Sequence, residues 1–83
     1  MDDLQVMIID LTSALESDDD TYVSGNDVFW DMVLDIKSKI PKENNKAYKH
    51  ISYIFDELSF YTDQEEIIKE LKEAYHDIYG ENI

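Results

Sequence analysis

The chain has 83 residues, with twenty acidic residues against seven lysines and no arginine, so its formal net charge is −13. That surplus opposes direct contact with nucleic acid or anionic lipid, while 43% hydrophobic and 12% aromatic residues are too many for a disordered acidic tail. The lack of cysteine rules out a disulfide framework and a thiolate metal site and fits a reducing cytoplasm; one globular domain over residues 1–83 and a cytoplasmic location are expected.

The first segment reads as a helix over residues 3–16, because Leu4, Met7, Ile8, Leu11 and Leu15 recur on one helical face. The apolar run Val6-Met7-Ile8-Ile9 is far short of a membrane span, and Met1-Asp2-Asp3 has the wrong sign for a secretory leader. Ser17-Asp18-Asp19-Asp20 and Thr21-Tyr22-Val23-Ser24-Gly25 form a connection, after which Ser24 or Asn26 can cap a second helix over residues 27–40. Phe29, Met32, Val33, Ile36 and Ile40 make its apolar stripe, and Pro41 ends it. Asn44 or Asn45 caps a third helix running to about Tyr61, with Ala47, Ile51, Ile54, Phe55 and Leu58 inward. Thr62-Asp63-Gln64-Glu65 has the spacing of a capping box. The fourth stripe is Ile67, Ile68, Leu71, Ala74, Tyr75 and Ile78, closed by Gly80 at the position of a left-handed C-cap. Four amphipathic segments with short connections predict an all-α fold, a compact antiparallel four-helix bundle.

Charge is polarised along the chain. Residues 1–35 hold ten acids and no lysine, residues 36–50 hold five lysines against Glu43, and the remainder holds nine acids and two lysines. Two rows stand out: Asp27, Asp31 and Asp35 on the second helix, and Glu66, Glu70, Glu73 and Asp77 on the fourth. Like charges at these spacings cost about 0.2–0.5 kcal/mol per pair. Either row can be a ridge for a cationic groove or a solvated outer face. At about 100° per residue, Trp30 lies a quarter-turn from the core stripe, and Tyr53 and Phe60 share a face with Asp56 and Glu57. Aromatics among carboxylates suit a binding patch, although packing within the bundle or a homodimer would also cover them.

No catalytic, cofactor or metal site is expected. Asp18-Asp19-Asp20 lacks the ligand spacing of a calcium loop. Glu73-Ala74-Tyr75-His76 matches one Glu-x-x-His element of di-iron bundles, which need it twice. His50, grouped with Lys46 and Lys49, is expected to pair with acids of the first or fourth helix rather than to serve a nucleophile.

Residues 51–79, with Ile54-Phe55-Asp56-Glu57-Leu58, Tyr61 and Glu65-Glu66-Ile67-Ile68 through Leu71, resemble the last two helices of small acidic bacterial immunity proteins of the colicin D type. The resemblance implies a helical, non-enzymatic inhibitor that covers the cleft of a basic tRNA-cleaving toxin with carboxylates. The partner expected is therefore a basic nuclease or other nucleic-acid-binding protein. The alternatives are a phage-encoded mimic of nucleic acid, of anti-restriction or anti-CRISPR type, and a small regulatory or scaffold bundle, possibly homodimeric.

Overall fold

The structure, a computed structural model, describes residues 2–17, 27–57 and 64–83. Four helices follow one another: α1 (Asp3–Ser17), α2 (Asp27–Lys39), α3 (Asn45–Asp56) and α4 (Gln64–Tyr79). Each helix packs on its sequence neighbours, and α4 returns to α1, closing a ring. Side-chain pairs show the antiparallel sense. Trp30 meets Phe55 and Lys37 meets Tyr48 across α2 and α3, while Gln5 meets Tyr75 and Asp2 meets Tyr79 across α1 and α4. The Cα radius of gyration is 11.7 Å, close to the roughly 12 Å of a folded domain of this length.

The apolar stripes converge as their periodicity requires. Leu4, Ile8, Leu11, Leu15, Phe29, Val33, Ile36, Ile40, Ala47, Ile51, Ile54, Ile67, Leu71, Ala74 and Tyr75 form one buried core. Met7, Met32, Phe55, Ile68 and Ile78 sit half-buried at its edge. Thr12 joins the core, and its hydroxyl finds no hydrogen-bond partner among the described residues.

Helix ends are explained by local chemistry. Asp2 caps α1, its carboxylate accepting the Gln5 amide at 2.7 Å, and Asn44 caps α3 through the Ala47 amide at 3.3 Å. Gly80 takes φ +71°, the left-handed conformation that glycine adopts without a Cβ penalty. The third helix is shorter than expected: it closes at Asp56, with Glu57 as its C-cap, rather than near Tyr61. Asp56 and Glu57 place two carboxylates at the negative end of the helix dipole, with no base in the last turn to offset them. The expected capping box at Thr62 and the inward position of Leu58 lie outside the described residues.

A clamp holds the N-terminus to the end of α4. The Tyr79 hydroxyl donates to the Asp2 carboxylate at 2.8 Å. Burial, and then this carboxylate, push the Tyr79 phenol well above its ordinary value of 10.0. The Gln5 amide, and then Tyr79, hold Asp2 below its ordinary 3.8.

Two predictions follow from these contacts. Thr12→Val should raise stability by about 1 kcal/mol, because it removes a buried hydroxyl that has no partner while keeping its shape; urea unfolding measures this. Tyr79→Phe should lower stability at neutral pH. A raised phenol stabilises fully below the unfolded value of 10.0 and loses its contribution above it. A depressed carboxylate stabilises above 3.8 and loses its contribution as pH falls through the lowered value. The stability gap between wild type and Tyr79→Phe should therefore be flat across mid-range pH and shrink at both extremes.

Candidate functional site

The register of α3 against α4 determines which acids face outward. Asn44 works in both directions there: while its oxygen caps α3, its Nδ2 donates to the Asp77 carbonyl at 3.1 Å. Two turns along α3, this brings His50 onto α4. Its Nδ1 lies 2.5 Å from Glu70 Oε2 and 3.3 Å from Glu73 Oε2, and its Nε2 lies 3.2 Å from Asp77 Oδ2. Glu70, Glu73 and Asp77 stand at i, i+3 and i+7, so one helix face supplies all three.

The fourth-helix row, readable as a ridge or as a solvated outer face, is in part turned into the bundle. Glu70 is 8% exposed, a buried carboxylate that serves the helix interface. Glu73 and Asp77 lean onto the same imidazole. Glu66 is half-buried and lies 3.9 Å from Lys69. The like-charge repulsion along the row is offset by a group from the facing helix. His50 thus pairs with α4 acids, as its position suggested, whereas Glu73 turns to His50 rather than to exposed His76. The donor atoms of His50, Glu70 and Glu73 all lie within 4.8 Å of one another, a nitrogen-and-oxygen set able to hold a cation. Beside them a depression of about 310 Å³ is lined by His50, Lys72, Glu73, His76, Asp77 and Asn82.

A different set of acids is left to solvent. Asp31 and Asp35 on α2, and Asp56 and Glu57 at the end of α3, are exposed, with no ion pair to their carboxylates among the described residues. Exposed Glu65 opens α4. The antiparallel order puts the start of α2, the end of α3 and the start of α4 at one pole of the bundle. Lys37, Lys39, Lys42, Lys46 and Lys49 occupy the end of α2 and the start of α3, at the opposite pole. The long axis of the molecule is 32 Å, several times the roughly 8 Å screening length at physiological salt. Those lysines therefore leave the acidic pole largely unneutralised.

The other two lysines are committed elsewhere. Lys72 reaches Glu16 at 3.4 Å, and Lys69 faces Glu66. Lys37 lies over the Tyr48 and Phe55 rings, 5.4 and 5.8 Å from their centroids, within the groove between α2 and α3.

The aromatic expectations divide. Trp30 is half-buried, edge-on to Phe29 at 4.8 Å and to Phe55 at 6.1 Å, so its indole seals the seam between α2 and α3 while keeping an outer edge. Tyr53 is 41% exposed and Leu34 43%. Tyr53 lies one turn before Glu57, so ring and carboxylate share a face. Phe60 and the Asp27 side chain lie outside the described residues. The structure thus brings Trp30, Asp31, Tyr53, Asp56 and Glu57 to one end of the α2–α3 pair and turns Glu70, Glu73 and Asp77 away to His50. Sequence reasoning missed Glu65 as a member of the acidic pole and His50 as the centre of the α4 row.

No protein-family model matches the chain, and comparison with curated proteins and with solved structures finds no significant match. Among the described residues no helix is long and apolar enough to cross a membrane.

His50→Ala would leave the Glu70 carboxylate buried beside Glu73 without its partner. We expect a loss of about 1–3 kcal/mol in urea unfolding. Lys69→Ala, which breaks only an exposed pair, should change stability by less than about 1 kcal/mol.

Proposed function

We propose that this is a non-enzymatic binding protein whose acidic pole covers the cationic, nucleic-acid-binding cleft of a basic protein, in the manner of a toxin immunity protein. The observation that carries this reading is the separation of charge: Asp31, Asp56, Glu57 and Glu65 are grouped at one pole, away from the five lysines of the other. A surface built only for solubility intersperses the two signs. Unanswered carboxylates on a rigid bundle instead create a field that speeds encounter with a cationic surface and rejects anionic ones.

Tyr53 and the outer edge of Trp30 add apolar area at the same end of the α2–α3 pair, whereas Leu34 lines a depression with Lys37, Lys42 and Tyr48. A binding patch needs such area because charge steers association whereas desolvated rings and aliphatic groups supply most of the affinity. The inhibitor requires no chemistry of its own: occupying the cleft excludes the nucleic acid by bulk and by like charge. The resemblance of residues 51–79 to the last two helices of colicin D-type immunity proteins supports the same mode of action. A second copy seated on Tyr53 and Trp30 is the competing occupant of this surface.

Affinity capture from the source cells tests the reading. The captured partner should be a basic, nucleic-acid-acting protein whose activity the purified chain inhibits stoichiometrically. Binding should weaken steeply as salt rises from roughly 50 to 300 mM. Combined Asp31→Asn, Asp56→Asn and Glu57→Gln should weaken binding roughly tenfold or more, chiefly through association rate, whereas Lys69→Ala should leave it unchanged. A partner indifferent to the triple change, or a salt-resistant homodimer by light scattering with no other partner, would overturn the proposal.

A further inference from the structure

We propose that His50, Glu70 and Glu73 form a binding site for one divalent transition-metal ion, Zn²⁺ being the best fit, with Asp77 orienting the imidazole. The inference concerns α3 and α4 and is independent of the acidic pole.

The argument starts from a count of donors. An imidazole offers at most two N–H groups, one on each nitrogen, yet three carboxylate oxygens surround His50 at 2.5, 3.3 and 3.2 Å. Asp77 Oδ2 stands 3.2 Å from Nε2, an acceptor for an N–H on that nitrogen. Glu70 and Glu73 then both converge on Nδ1. One N–H cannot point well at two acceptors, so a single proton on Nδ1 serves Glu70 or Glu73 but not both. A divalent ion in place of that proton can bond all three groups at once, since their donor atoms lie within 4.8 Å of one another.

Charge and geometry favour the metal over a proton. A proton on Nδ1 leaves three carboxylates against one imidazolium, one of the carboxylates being buried Glu70. A divalent ion with a neutral imidazole cancels one more unit of charge. Lys72 lines the adjoining depression but is directed to Glu16. The Glu73 oxygen, 3.3 Å from Nδ1, stands at the roughly 3.4 Å edge of a tetrahedral site with bonds of about 2.0–2.2 Å, whereas the Glu70 oxygen, at 2.5 Å, is too close. Glu70 need swing by only about 1 Å to reach it. A nitrogen with carboxylate oxygens selects Zn²⁺ and its neighbours over Ca²⁺ and Mg²⁺, which prefer oxygen alone. Asp77 on the distal nitrogen is the outer-shell partner that holds a metal-bound histidine in one tautomer. The depression lined by Glu73 and Asp77 gives an ion its entry path and leaves room for a water as fourth ligand.

The test is calorimetric titration of ZnCl₂ into chelator-treated, full-length protein, alongside imidazole ¹⁵N NMR. One ion per chain should bind, and the His50 Nδ1 resonance should move to the position of a metal-bound nitrogen while Nε2 stays protonated. Glu73→Gln, a half-exposed change compatible with folding, should weaken binding at least tenfold. Asp77→Asn should weaken it roughly 10- to 100-fold. Lys39→Ala, exposed at the end of α2, should leave it unchanged, and equimolar Ca²⁺ should not compete. The proposal is overturned if no ion binds, if several ions bind weakly and equally in all variants, or if Nδ1 remains protonated in saturating Zn²⁺.

Discussion

The contact between His50 and the carboxylates of α4 decides how the rest of the molecule presents itself. Glu70, Glu73 and Asp77 would otherwise form a repelling row along an exposed helix, and a single imidazole from α3 gathers them inward. The same contact, together with the Asn44 side chain on the Asp77 carbonyl, sets the register of α3 on α4. That register carries Asp56 and Glu57 to the pole where α4 begins. The internal pairing and the external charge display are thus two outcomes of one helix alignment.

The acids accordingly fall into two physical classes. Those on α4 that meet His50 are half-buried or buried, and they act on stability and on any cation held between them. Those at the pole are solvated, held apart by the length of the bundle from the five lysines of residues 37–49, and act at a distance through their field. An exposed carboxylate contributes little to folding and acts on its surroundings through its field. A chain that spent all twenty acids on internal pairing would need far more bases than it has. Five of its seven lysines are placed at the opposite pole, and Lys69 and Lys72 answer Glu66 and Glu16.

Much of the fold was legible because helical periodicity and end signals agree. Among the described residues fifteen hydrophobic side chains form the core, and all of them lie on the stripes that the i, i+3, i+4 spacing marks out. Asn44, Gly80 and Pro41 mark helix boundaries for reasons internal to a few residues. The early close of α3 was not legible: the apolar stripe continues past Asp56, and the opposing term is the interaction of two carboxylates with the helix dipole. Thr12 was missed because a hydroxyl reads as polar although its methyl packs. The site was legible only in its parts. Asp31, Trp30, Tyr53, Asp56 and Glu57 could be assigned outward from single-helix geometry. The fate of Glu70, Glu73 and Asp77 depended on a histidine twenty or more positions away, and no spacing along one helix reveals the register of two.

Chemical-shift mapping on the ¹⁵N-labelled protein, titrated with an arginine-rich peptide as a generic cationic probe, examines the division of acids most directly. The largest shifts should cluster at Asp31, Asp56, Glu57 and Glu65, vanish in high salt, and leave Glu70 and Asp77 unmoved. Shifts centred on the α4 row, or spread evenly over the whole acidic surface, would contradict the existence of a dedicated acidic pole.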